Sequence, residues 1–146
     1  MKRLSAYLFV FAVALAGTTS AFAQEAETSV ATKNAQEGAQ LSRQLTLALD
    51  SPIDQIKLET LQLINFLAAF HSDEVDLTEA VPKLIEIYEI DAIEGYRILA
   101  LTGLHAMGER SVMRYLSETV RRERSPRVRA LTLAALADYH AKEQEL

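Results

Sequence analysis

Three stretches of this sequence carry one pattern: "IKLETLQLI" from Ile56, "YRILALTGL" from Tyr96 and "VRALTLAAL" from Val128. Each opens on an apolar residue followed by a cation, Lys57, Arg97 or Arg129. Each then places a leucine at Leu61, Leu101 or Leu133, and an aliphatic residue three positions on, at Ile64, Leu104 or Leu136. The separations are 40 and 32 residues, and each interval has room for one shorter helix. A helix pair of that size cannot cover its own apolar faces, and it becomes stable when neighbouring pairs stack into a continuous core. The repetition therefore predicts three tandem helical hairpins on a shared hydrophobic spine, with Leu61, Leu101 and Leu133 all pointing into it.

Local signals place the helices. From about Asn34, Leu41, Leu45 and Leu49 recur at the spacing of one helix face. Asp50-Ser51-Pro52 stops that helix. Ser51 can cap a second helix and Pro52 suits its first turn, where no N–H is needed; this helix runs to about His71. Asp76 with Glu79, and Asp91 with Glu94, have the D-x-x-E spacing of a capping-box variant. They open a third helix, with Val81, Leu84, Ile85 and Tyr88 on its apolar face to about Ile90, and a fourth that Gly108 closes after Met107. A fifth spans about Glu109 to Arg122 with Met113, Leu116 and Val120 inward, and Ser125 and Pro126 open a sixth. No stretch alternates with period two for long, so the fold class is all-α.

The pattern resembles the HEAT-repeat family of α-solenoids over about Asn34 to His140, most closely in the middle unit. There Pro82 sits in the first helix, Asp91 in the turn, and Arg97 six residues after Asp91. The resemblance implies a short right-handed α-α superhelix of about six helices within residues 34–146. It also implies a ladder of polar contacts between units, built here from Asp91, Arg97, Glu123 and Arg129. Two departures stand out: Glu123 and Ser51 occupy the place of Asp91 in the other units, and neither of the other first helices has a matching proline. An arginine near a helix start opposes the helix dipole, which is an independent reason to expect Arg97 to meet a carboxylate. An irregular helical bundle is the alternative architecture.

The first residues read as a leader. Lys2 and Arg3, the apolar run "AYLFVFAVALAG" and the small-x-small "AFA" ending at Ala23 predict a signal peptide, 1–23, cleaved after Ala23. The run falls short of the ~20 residues that span a bilayer; an uncleaved anchor is the other reading. The polar segment 24–33 predicts a flexible tail. The expectation is export to periplasm or medium, with no stable membrane span after cleavage. Cleavage would leave 123 residues and move the net charge from −5 to −7. That length suits one domain, and the acidic balance weighs against nucleic acid. The chain has no cysteine, so neither disulfides nor thiolate chemistry can contribute.

Charge is unevenly spread. Residues 73–94 carry eight acids and one lysine, and residues 110–129 carry seven arginines and two glutamates. Arg110, Arg114, Arg121, Arg122 and Arg124 form a candidate cationic edge for an acidic partner, or for the acidic stretch of a second copy. A solvated surface with internal pairing is the plain alternative. In the last helix Val128, Leu131, Leu133, Leu136 and Tyr139 cover about 200° of arc at ~100° per residue, more than a surface helix needs. Leu131 and Tyr139 are thus a candidate apolar end. His71, His105 and His140 do not align in the repeat, and His71 and His140 read as helix-end cations. No carboxylate pair is set apart in an apolar pocket as acid–base catalysis requires, and there is no G-x-S-x-G or phosphate loop. The expectation is an exported, non-enzymatic interaction or scaffolding module. It would have a protein partner, no cofactor, no metal and at most weak homodimerisation. The alternatives are a binder of an anionic envelope polymer or lipid, and an accessory subunit of an envelope enzyme.

Overall fold

The structure is a computed structural model that describes residues 36–145. The chain divides into units 1–37 and 38–146, and the first lies almost wholly outside the described residues, as do the expected leader and tail. The described residues form six α-helices and no strand. They are α1 (residues 36–49), α2 (Asp54–Phe70), α3 (Val81–Ile90), α4 (Glu94–Met107), α5 (Arg110–Thr119) and α6 (Pro126–Glu145). A 3-10 turn, Thr78–Ala80, leads into α3, and another, Val120–Arg122, follows α5. The all-α expectation holds, and no helix among the described residues is long and apolar enough to cross a membrane.

Several starts differ from expectation. α2 begins after Pro52, at Asp54, and Ser51 Oγ accepts the N–H of Ile53 instead of capping the helix. Asp76 and Asp91 do not close capping boxes. Each accepts the N–H two residues on, from Thr78 and Ile93, and so folds a short polar turn ahead of the helix. Pro82 does lie in the first turn of α3, and Gly108, at φ +63°, closes α4 in the left-handed conformation that glycine adopts without strain. Ser125 Oγ accepts the N–H of Val128, three residues into α6, as an N-cap does.

α3 packs on α4 and α5 on α6, while α4 lies between α2 and α6. One side of α4 meets α2: Tyr96 Oη donates to the Asp54 carbonyl, and Gly103 sits against Ile64 and Asn65. A Cβ on Gly103 would come within 2.7 Å of Asn65 Oδ1, which is why the close approach falls at a glycine. The opposite side of α4 meets α6, where His105 Nε2 lies 3.0 Å from Asp138 and Glu94 accepts from Ser125 Oγ. These matched early–early and late–late contacts make α2, α4 and α6 parallel neighbours.

The three aligned segments share two buried positions, Thr60/Ala100/Thr132 and Ile64/Leu104/Leu136. The first is small in every helix, which lets backbones approach. Its two threonine hydroxyls stay satisfied by donating to the carbonyls of Ile56 and Val128. The leucine expectation is corrected in one helix. Leu61 and Leu101 are buried, but Leu133 is 53% exposed. The reason is geometric: among the described residues no helix lies beyond α6, so a residue on the side away from α4 meets water. Elsewhere Leu45, Leu49, Val81, Leu84, Tyr88, Met113, Leu116 and Val120 are in the core as expected, Ile85 is half-buried, and Ile87 and Val112 join them.

Equivalent truncations should therefore differ. Leu101→Ala should cost about 2–5 kcal/mol by leaving a cavity, whereas Leu133→Ala should stay within about 0.5 kcal/mol. Urea titrations of the two variants check the difference.

Candidate interaction surface

The charges divide into those that hold the helices together and those that face water. Turn residues Ser51, Asp91 and Glu123 each accept the N–H two residues on, from Ile53, Ile93 and Ser125. The two acids have an oxygen left over, and each takes a cation from the preceding segment of the aligned three. Lys57 Nζ of α2 lies 3.1 Å from Asp91 Oδ2, and Arg97 of α4 pairs with Glu123 Oε2. Arg97 Nε also donates to the Tyr88 carbonyl at 2.8 Å, so one guanidinium joins the end of α3, the start of α4 and the turn before α6. Lys57 Nζ stands 5.8 Å from the Tyr96 ring centroid, adding a cation–π contact. These pairs differ from the expected ladder: Asp91 serves Lys57 rather than Arg97, and Glu123 serves Arg97 rather than Arg129. Arg129 has no ion pair among the described residues.

Sequence reasoning did not single out one buried polar link. Tyr88 and Thr132 place their hydroxyl oxygens 3.0 Å apart between α3 and α6. The Thr132 proton goes to the Val128 carbonyl, so Tyr88 is the donor. Burial pushes the Tyr88 hydroxyl above the ordinary tyrosine value. A tyrosine on the apolar face of α3 was legible in the sequence, but its polar partner 44 residues away was not.

The candidate cationic edge is exposed. Arg110, Arg114, Arg121, Arg122 and Arg124 all face water, from α5 through the turn after it. Arg110 reaches Glu143 of α6 at 3.2 Å. Arg114, Arg121, Arg122 and Arg124 have no ion pair among the described residues. The acidic side is more self-occupied: Lys83 is held between Asp50 and Glu86, which raises its pKa through hydrogen bonds to both, and Glu89 accepts from Tyr115. Of the candidate apolar end, Leu131 is 39% exposed, while Tyr139 is half-buried and donates to Glu143.

A second apolar surface was missed. On α2, Ile56, Leu63, Phe66 and Phe70 are exposed on one side, and the two phenylalanine rings lie 5.4 Å apart. The signal was available, because the apolar residues of α2 cover a wider arc than its buried stripe uses. The histidines stay separate, His71 beside Glu74, His105 beside Asp138 and His140 beside Glu143. His71 ends α2, whereas His140 lies within α6 rather than at its end. No group of three potential metal ligands occurs among the described residues. No protein-family model, curated protein or solved structure matches this chain.

Removing Arg97 should be severe. Arg97→Ala strands the buried Glu123 carboxylate and should cost about 3–5 kcal/mol, against about 1 kcal/mol or less for Lys57→Ala at its more exposed pair; thermal and urea unfolding would show the gap. Tyr88→Phe should cost about 1 kcal/mol, since Thr132 keeps its own acceptor. It should also change the alkaline limb. A raised folded pKa means the native state holds its proton longer, so the wild type loses stability as pH climbs past 10.0, the ordinary tyrosine value, and the variant should lose less there. Urea midpoints at successive alkaline pH values measure the difference.

Proposed function

We propose that this chain is an exported, non-enzymatic module, a short HEAT-like stack of helical hairpins, that holds an acidic protein partner through the arginine edge of α5 and the turn after it. The observation that carries the reading is the set of four exposed arginines without ion pairs among the described residues, Arg114, Arg121, Arg122 and Arg124. Lys57 and Arg97 are engaged within the fold, so these four are available to a partner. Exposed like charges held close on one edge repel one another, and an acidic surface relieves that repulsion. The stack reading is supported by the parallel neighbours α2, α4 and α6 and by the turn residues that accept the same N–H in each unit. The export reading rests on Lys2, Arg3, the apolar run and the "AFA" site.

Binding through such an edge weakens as salt rises. Capture from envelope extract should therefore retain a partner at low salt and release it at high salt. The Arg114→Glu/Arg121→Glu double variant should bind the same partner about tenfold or more weakly, equivalent to ~1.4 kcal/mol. Undiminished capture by that variant would sink the proposal. Salt-sensitive binding to anionic vesicles, with no protein captured, would replace the protein partner by a lipid surface.

A further inference from the structure

The α2–α4–α6 row leaves apolar surface at both of its sides, and the two surfaces are the two halves of the contact already made inside it. α4 meets α2 through the side that bears Tyr96 and Gly103. The residues at the same register in α2 are Ile56 and Leu63, 39% and 42% exposed, with Phe66 and Phe70 beside them. α4 meets α6 through the side that bears Glu94 and His105, with Leu101 on the same side by helix geometry. The matching side of α6 bears Ala130, Leu133 and Ala137, all exposed. We infer that a second copy of this chain docks its α2 face onto the α6 face of the first, continuing the helix row from molecule to molecule.

Three observations favour a second copy as occupant. The first is continuity: the two faces repeat, at equivalent positions, the α2–α4 and α4–α6 contacts. The second is relief: the α6 face is low, built of alanines around one leucine, and the α2 face is high, built of isoleucine, leucine and phenylalanine. Large against small is also how Ile64 and Asn65 meet Gly103 inside the molecule. The third is charge. Arg129 is the α6 equivalent of Lys57 and Arg97 but has no ion pair among the described residues. In a parallel continuation its carboxylate would come from the turn at Ser51 of the next copy, where Asp50 keeps its side chain exposed while also pairing with Lys83. A repeat stack that stays single ordinarily carries polar outer faces, and exposed apolar patches of this kind mark interaction sites. The contact is heterologous: one face meets a different face, so association need not stop at two.

The inference rests on the stacked-hairpin reading above but not on the arginine edge. The test is sedimentation velocity on the protein purified as the cell processes it, over a range of concentrations. The wild type should form a concentration-dependent series that extends beyond the dimer and survives high salt. Leu133→Glu blocks only the α6 face and Leu63→Glu only the α2 face; both sites are exposed, and circular dichroism confirms folding. Each variant alone should be monomeric, and an equimolar mixture should give a complex that stops at two chains. A wild type that stays monomeric throughout overturns the inference, as does a mixture that fails to associate. Loss of association in Leu133→Glu but not in Leu63→Glu would mean a symmetric α6–α6 dimer instead. Increased protease cleavage of the segment ahead of α1 in Leu63→Glu, with a monomeric wild type, would mean that the chain covers its own α2 face. Partner capture by the monomeric variants separates the two proposals: if it persists, the arginine edge stands whatever becomes of self-stacking.

Discussion

Burial of α4 on three sides is the constraint around which the other helices are arranged. A helix enclosed by α2, α3 and α6 cannot present one apolar stripe and one polar face, as a surface helix does. It needs small residues where backbones approach, and Ala100 and Gly103 supply them. It needs large residues where the core must be filled, and Leu101 and Leu104 supply those. Its remaining polar groups must find partners at its flanks. Tyr96 reaches the start of α2, Glu94 the cap of α6, and His105 the far part of α6. These contacts fix the order and parallel direction of the row as well as its density.

Arg97 binds this arrangement together at one point. Burying a guanidinium is costly unless its donors are used, and here they are used on the Tyr88 carbonyl and the Glu123 carboxylate. Glu123 in turn holds the N–H of Ser125, so the cation, the turn and the start of α6 form one unit. The same scheme recurs more loosely with Lys57 and Asp91. A turn acid with two oxygens can order its own loop and still receive a cation from the helix beside it. A serine in that place orders the loop alone, as Ser51 does.

The exposed arginines contrast with this economy. Arg114, Arg121, Arg122 and Arg124 take no part in the packing, and the turn that bears three of them lies next to the buried pair. Fold and surface charge are thus separable: a change on the edge leaves the helix packing intact, and a change at Arg97 reaches three elements. Apolar surface divides in the same way. What α4 needs is buried, and what lies on the outer sides of α2 and α6 remains open.

Helix positions were legible because each depends on neighbours in the chain. Gly108 closes α4, Ser125 and Pro126 open α6, and the four-residue spacing of Leu45 and Leu49 marks one face of α1. The cationic edge was legible too, since clustering of arginine is a property of composition. The exact starts of α2 and α3 were not, because aspartate and serine near a helix can serve a preceding turn as well as a cap. Nor could the sequence tell Leu133 from Leu61 and Leu101, which share its local pattern. Burial depends on whether another helix lies alongside, and that is decided across the molecule. The pairing of Arg97 with Glu123 and of Tyr88 with Thr132 belongs to the same class. Sequence determined the helices and the residue types available to join them; only tertiary structure decided which met, because side-chain partners follow from neighbours in space.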